Sequence, residues 1–439
     1  VTSARLPIIG LLVILGISGS TSLWLRARSS AGIDFYQMWV GARVAGDVTD
    51  FYGPATGGRV GAEYVQRAMT EERSARRVAV ARHRQQLEWV STPLLFTLYA
   101  PFRGTYERDL LLFQVLELMA LMAAVGLLAW TFGYGVPAAL ALFAVLVNAF
   151  EPLVSDFRVG NVNVLILLLV AVGIALTARR NLMAAGAVFA MAALAKPYVV
   201  FLFVLTYAFW MVQRRWRDLA SHAAGAAIAG VAALTVSSLY FRSPTIWMEW
   251  LRALRDMPQS MVPLEVGNFA LAGVTQGLFG INVSALVLVV AAGAAVVVTY
   301  KAAPAPQHAD QLAIGLGCVM ALLGSPLMWI HYLVLTIPLL AYLLRPTGNA
   351  PRRQVAAAVA LAILAIEPWA RFVPATIQVA ALVNVGLVVA VIASLFDLRT
   401  RGATAAPRGS RQVTPPPTGA YNRDTEGTEE DGESQERSF

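Results

Sequence analysis

The sequence predicts an all-α polytopic membrane protein, a bundle of about twelve transmembrane helices with a long first external loop. Three observations predict it. Hydrophobic residues make up 57% of the 439 positions and charged residues 14%, with a mean hydropathy of +0.62, far more apolar than a soluble globular chain. The apolar stretches recur at lengths near a bilayer crossing and lack the strict alternation of outer-membrane strands. Between them the cations cluster in short segments, so the formal charge of +8 reports topology rather than a nucleic-acid-binding face.

Residues 1–30 hold the first apolar run, Leu6 to Trp24, preceded by Arg5. Small residues at Gly19 to Ser22 resemble a cleavage region, but an uncleaved anchor balances the remaining topology better. With the N-terminus in the cytoplasm, residues 31–109 form the first external loop. Its many arginines do not contradict that side, because loops beyond ~60 residues are largely exempt from the positive-inside rule. Asp34 lies just past the first span, flanked by Phe35, Tyr36 and Trp39, at the depth where aromatic rings gather. The stretch Gly61 to Trp89, dense in Ala, Arg, Glu and Gln, predicts a helix on the membrane or over the site. Its arginines, Arg73, Arg76, Arg77, Arg82 and Arg84, either meet lipid phosphates or form ordinary ion pairs such as Glu72 with Arg76. Pro93 and Pro101 bracket an apolar segment too short to span, read as a re-entrant or interfacial element, or as an ordinary helix started by Pro93.

Residues 110–398 carry the remaining spans. These are expected near Leu110–Thr131, Val136–Phe150, Val162–Thr177, Leu182–Ala195, Val199–Val212 and Leu219–Tyr240. After an external loop at 241–281 come Val283–Thr299, Gln311–Leu323, Leu327–Leu344, Val355–Glu367 and Ala375–Leu395. This threading places Arg179-Arg180, Arg214-Arg215 with Arg217, Lys301, Arg345 with Arg352-Arg353, and Arg399 with Arg401 on one side, the cytoplasm. It gathers Asp34, Glu151, Asp156, Arg158, Lys196, His331, Glu367 and Arg371 near the opposite face. The composition of residues 399–439 shifts to Pro, Gly, Ser, Thr and acids, which predicts a disordered cytoplasmic tail.

Six short motifs occur in order: Gly-Ile-Asp-Phe-Tyr-Gln-Met-Trp (32–39), Ser-Thr-Pro-Leu-Leu-Phe-Thr-Leu-Tyr-Ala-Pro-Phe (91–102), Gly-Asn-Val-Asn (160–163), Ala-Lys-Pro (195–197), Gly-Asn-Phe-Ala-Leu-Ala-Gly (267–273) and Ser-Pro-Leu-Met-Trp-Ile-His-Tyr (325–332). Together they resemble glycosyltransferase family 87. The resemblance implies a GT-C-like bundle that moves a sugar, mannose or arabinose among known members, from a polyprenyl-phosphate carrier to a lipid or glycan acceptor on the external face. It also implies an acid in the first external loop as general base, the position Asp34 occupies. A single carboxylate suffices for an inverting displacement, because polyprenyl phosphate is already a competent leaving group. The competing reading of Asp34 is a helix N-cap for the segment from Phe35.

Lys196, one of two lysines in the chain, is a natural contact for a donor phosphate, or else a lysine snorkelling from a helix end. His331 can donate to the leaving phosphate or orient the sugar, or form an interhelical hydrogen bond. Relatives often show two adjacent histidines where His331-Tyr332 stands, and Gln where Asn161 stands. Asn163 is favoured as a residue lining the donor site, although both asparagines also suit helix capping. Arg158, Glu151 and Asn268 are the expected acceptor contacts, with a mutual pairing of Arg158 and Glu151 as the alternative. At 268–270 relatives often carry Asn-Gln-Ser, and at 91–93 Tyr-Pro-Pro.

No Gly-rich phosphate loop, zinc-spaced Cys/His set or serine elbow is present in the sequence. The single cysteine, Cys318, reads as packing. The expectation is therefore a hexosyltransferase of the bacterial plasma membrane with its site on the external side. It would need no cofactor and no metal, take its sugar from the lipid-linked donor, and bind membrane lipids but no nucleic acid. A transporter of lipid-linked glycans is the alternative, distinguished by binding without cleavage of the anomeric bond. A scaffold acting through the tail ranks below both and predicts loss of function on truncation after Arg401.

Overall fold

The computed structural model describes residues 5–404 apart from Arg73, Glu88, 256–266, 284, 287, 291, 294–295, 297–305, 347–350 and 367–375. Glu367, Arg371, Lys301, most of the expected tail, and parts of the expected 241–281 loop and of the Val283–Thr299 span lie outside the described residues. Among the described residues every regular element is a helix. α1 (Arg5–Ser29) leads into α2 (Ile33–Val44), α3 (Pro54–Arg67), α4 (Ala75–His83) and α5 (Pro93–Leu98). A central body follows from α6 (Tyr106–Thr131), α7 (Val136–Ala149), α8 (Glu151–Val159), α9 (Asn163–Ala178), α10 (Leu182–Ala195), α11 (Val200–Val212) and α12 (Trp216–Phe241). Then come α13 (Ile246–Arg255), α14 (Leu271–Phe279), α15 (Pro306–Gly324), a 3₁₀ segment (Ile330–Thr336) continuing into α16 (Ile337–Leu344), α17 (Pro351–Leu364) and α18 (Thr376–Thr404).

Among the described residues four segments are long and apolar enough to cross a bilayer: Leu6–Ser29, Tyr106–Thr131, Trp216–Phe241 and Thr376–Ser394. The pair α7 and α8, bent by 63°, makes a fifth if it is one broken span. Among the described residues this measure gives four or five of the expected dozen crossings, and parts of the expected Val283–Thr299 and Val355–Glu367 spans lie outside those residues. The apolar stretches Asn163–Ala178, Leu182–Ala195, Pro197–Val212, His308–Gly324 and Ile330–Leu344, on α9, α10, α11, α15 and the segment leading through α16, are only 10–17 residues long. Fourteen residues rise ~21 Å, short of the ~30 Å hydrocarbon core. The expected span Val136–Phe150 ends where the chain breaks at Phe150-Glu151-Pro152, and Pro152 stands in the first turn of α8.

The outward apolar side chains show what surrounds this body. Leu6 is 74% exposed, Ile17 63%, Ile228 63% and Leu239 72%, on helices long enough to meet lipid along their length. The protein is a multi-pass membrane protein. Helices approach closely where small residues permit it. A Cβ on Gly186 would stand 1.9 Å from the His222 carbonyl oxygen, and one on Gly225 1.8 Å from that of Met183. α10 and α12 thus touch backbone to backbone. Gly225→Leu is expected to prevent this packing, read as loss of the monodisperse species on size exclusion in detergent.

The first loop departs from its expected single helix over Gly61 to Trp89. α3 ends at Arg67, a π-turn spans Ala68–Glu72, and α4 restarts with Ser74 as its cap, the Ser74 hydroxyl accepting from Arg77 N at 3.2 Å. The serine in the run supplies the break. Arg76 pairs with Glu107 at 3.3 Å, on α6, and also donates to the carbonyls of Ala27 and Ser30; the side chain of Glu72, its expected i,i+4 partner, lies outside the described residues. α4 is therefore pinned to the α1–α6 body.

Candidate active site

Asp34 sits in the first turn of α2, a helix buried from Phe35 to Ala42. Phe35 packs among Tyr99, Phe102, Tyr106 and Phe113 with ring centroids 5.1–5.8 Å away. Trp39 donates from Nε1 to Asp109 at 2.9 Å, and Arg43, 3.9 Å over the Trp39 ring, also reaches Asp109 at 3.2 Å. These contacts fix α2 against α6 and with it the direction of Asp34. The N-cap is Gly32, with no side-chain capping bond, so the capping reading of Asp34 does not hold.

The Asp34 carboxylate instead joins three other segments. Its Oδ1 accepts from Arg84, at the end of α4, at 3.2 Å. Its Oδ2 accepts from Asn161 Nδ2 at 2.8 Å and lies 3.8 Å from His331 Nε2. Asn161 Nδ2 is also 3.3 Å from His331 Nε2. One amide can donate to the carboxylate and the ring nitrogen together, which assigns the neutral imidazole proton to Nδ1. His331 belongs to the 3₁₀ segment before α16 rather than to the interior of an α-helix.

A second layer holds these groups. Asn161 Oδ1 accepts from Val162 N at 2.8 Å and from Asn163 Nδ2 at 3.1 Å. Asn163 Nδ2 also donates to Asp156 at 2.8 Å, and Asp156 accepts from Val164 N at 3.1 Å. Gly160 makes the turn possible: its φ is +67°, and a Cβ there would lie 2.7 Å from Phe35 Cβ. Tyr198 donates its hydroxyl to Asn163 Oδ1 at 2.8 Å and stacks on Tyr332 at 4.9 Å. The Lys196 ammonium lies 5.1 Å from the Tyr332 ring centroid, and among the described residues it makes no ion pair. Asn163 thus supports both the Asp34 side and the Lys196 side.

These side chains line a cavity of about 680 Å³ that includes Asp34, Arg84, Asn161, Lys196, Trp329 and His331. The volume is in the range of pockets that take a small ligand. Anionic and cationic groups face one space with the carboxylate tethered through both oxygens. A tethered carboxylate still offers lone pairs to a proton donor.

Several expected site residues lie elsewhere. Asn163 is fully buried behind Asn161 and does not line the cavity. Arg158 is on the exposed side of α8, and Glu151 is 3.9 Å from Arg26. Neither lines the cavity. Asn268 is buried and acts as a clasp: its Oδ1 accepts from Met328 N at 2.9 Å and Ala270 N at 3.1 Å, and its Nδ2 donates to Pro326 O at 3.1 Å. It joins the two connections that carry Phe269 and Trp329 into the cavity. Asn268→Ala leaves those groups unpaired, each at about 1–3 kcal/mol, and is expected to lower the thermal midpoint by several degrees. Differential scanning fluorimetry in detergent checks this.

Sequence reasoning missed Arg84 and Asn161 as partners of Asp34. Arg84 stood among several loop arginines that spacing does not distinguish, and Asn161 differs from Asn163 only by which way the turn faces.

A lipid-facing helical body enclosing a polar cavity of opposed charges defines a membrane protein that acts on a substrate held at the cavity. The chain belongs to glycosyltransferase family 87, whose model matches residues 89–326, more than half of its length. It is a membrane glycosyltransferase, with a sugar donor and an acceptor as its substrates. Comparison with curated proteins and with solved structures gives no match. Arg84, Asp34 and His331 fall outside the matched segment, whereas Asn161, Asn163 and Lys196 fall within it.

Proposed function

We propose that the protein is a hexosyltransferase that moves mannose from a polyprenyl-phosphate carrier to a lipid or glycan acceptor at the external face of the plasma membrane. Asp34 is the general base. The acceptor hydroxyl oxygen attacks the anomeric carbon as its proton passes to Asp34. The bond from that carbon to the phosphate oxygen breaks, and its electron pair leaves with the polyprenyl phosphate. Attack opposite the leaving group inverts the anomeric centre.

The observation that carries this reading is the convergence of Asp34, tethered by Arg84 and Asn161, with the unpaired Lys196 in one cavity. A carboxylate can take a proton, and an ammonium stabilises the charge that gathers on a departing phosphate. His331, beside Asp34, orients the sugar or the phosphate. The test is sugar transfer by purified, reconstituted protein from polyprenyl-phosphate mannose to extracted membrane lipids. Turnover with inversion supports the reading. Tight carrier binding without cleavage of the anomeric bond, across mannose and arabinose carriers alike, would replace it with transport.

A further inference from the structure

A second cavity, of about 470 Å³, adjoins the first: Val90 lines both. It lies between the start of α3, the residues Gln86, Leu87, Trp89 and Val90, and α13. Among the described residues its charged lining is Asp50, Glu249 and Arg252. Asp50 is exposed with φ +55°, and a Cβ on Gly53 would stand 2.0 Å from its Oδ2, so the glycine leaves room for the carboxylate. Glu249 is oriented by Ser243 and Thr245, whose hydroxyls donate to its Oε1 at 3.1 and 2.6 Å. Its Oε2 has no partner among the described residues. Trp89, stacked on Phe51 at 4.2 Å, is 6% exposed, and among the described residues its indole N–H has no acceptor. Val90 and Ser91 are themselves anchored, because Trp250 donates to Val90 O at 3.0 Å and Tyr52 to Ser91 O at 2.7 Å.

The two cavities differ in the sign of their charge balance. Lys196 and Arg84 line the first against the Asp34 carboxylate, so a phosphate would be attracted near the two cations; among the described residues two carboxylates line the second against one exposed arginine. A phosphate is disfavoured in the second. Free carboxylate oxygens instead accept from vicinal hydroxyls, and the Trp89 side chain forms part of the wall against which a sugar ring can pack. The geometry points to this second cavity as the subsite for a neutral polyhydroxyl unit, a hexose or similar polyol, of the acceptor. This rests on the glycosyl-transfer reading, since it makes the acceptor a glycan-bearing molecule whose sugar end enters beside Val90 while a hydroxyl reaches Asp34.

The test uses the full chain reconstituted in nanodiscs and two probes, methyl α-mannoside followed by saturation-transfer NMR and inorganic phosphate followed by 31P line broadening. Asp50→Asn and Glu249→Gln remove one carboxylate charge each, and asparagine tolerates the left-handed backbone at position 50, so that variant keeps its fold. The mannoside signal is expected to fall at least about fivefold in both variants and to persist in Lys196→Met, with the phosphate signal showing the reverse pattern. In transfer assays the acceptor KM should rise about tenfold or more in Asp50→Asn while the donor KM stays within twofold. A mannoside signal unchanged in both carboxylate variants, or lost instead in Lys196→Met, overturns the subsite. Parental transfer by Asp34→Asn would overturn the catalytic reading and leave the mannoside result standing, so the two failures are separable.

Discussion

Replacing Asp34 by asparagine is expected to lower sugar transfer about 10²–10⁴-fold, the range over which a positioned acid or base contributes. The substitution keeps the shape of the side chain. An amide oxygen in place of Oδ1 still accepts from Arg84, which now stands at 3.2 Å. The amide nitrogen would then face Asn161 Nδ2, now a donor to Oδ2 at 2.8 Å, and the two amides must reorient. That local cost is modest, because Asn161 keeps its bonds to Val162 N and Asn163. The loss should therefore fall on kcat, with binding of the polyprenyl carrier retained. A loss of carrier binding with kcat preserved would show that Asp34 holds substrate without taking the proton. Transfer at the parental rate would remove it from the mechanism.

The identity of the site was partly legible in the sequence. An acid just past the first span, among Phe35, Tyr36 and Trp39, stands out because few carboxylates lie near apolar segments of this length. Lys196 stands out for a similar reason. What decides their partners is not periodic. Arg84 reaches Asp34 because the π-turn at Ala68–Glu72 and the Ser74 cap redirect the chain, and the Glu107 contacts hold α4 in place. Those are tertiary events, invisible in a helix-prone run of Ala, Arg and Gln.

The fold was legible to a similar degree. Helical class and the lipid-facing character of α1, α6 and α12 follow from long apolar composition. The number of full crossings does not, because hydropathy sums apolar residues across breaks. The bend at Phe150-Glu151-Pro152 is legible only as the end of a span at Phe150; that α8 continues from it at 63°, so that Ser155, Val159 and Gly160 form one wall of the cavity, is not.

Asn163 extends the same point to chemistry. It was expected in the cavity, yet it bonds Asp156, Asn161 and Tyr198 behind the wall. Its substitution by alanine would strip a donor or acceptor from each, and the expected result is a lower thermal midpoint together with reduced transfer. A merely structural role would lower stability alone. Restoring the amide as Asn163→Gln at a shifted position should not recover transfer, because the bonds at 2.8–3.1 Å fix the reach of the shorter side chain.

Lys196→Met is expected to reduce kcat about 10²–10³-fold, comparable to removing a preorganised charge stabiliser. Methionine approximates the length and apolar stem of lysine without its charge. It can still pack against Tyr332, so the wall formed by Tyr198 and Tyr332 should survive, together with the Tyr198–Asn163 bond at 2.8 Å. The ammonium has no ion pair among the described residues, so the protein does not spend its charge on another side chain. A charge held near an aromatic face and otherwise uncommitted is available when a phosphate oxygen gains charge as the anomeric bond breaks. The effect should grow as the leaving group becomes poorer. Carriers with leaving groups of higher pKa should lose more rate in Lys196→Met than those of lower pKa, a dependence that a lysine acting only in packing would not produce. Arginine at 196 keeps the charge but spreads it over a planar fork, and is expected to recover part of the rate if position allows it to reach the phosphate. A Lys196→Met enzyme that loses donor affinity without any change in kcat, equally for every carrier, would limit Lys196 to ground-state binding.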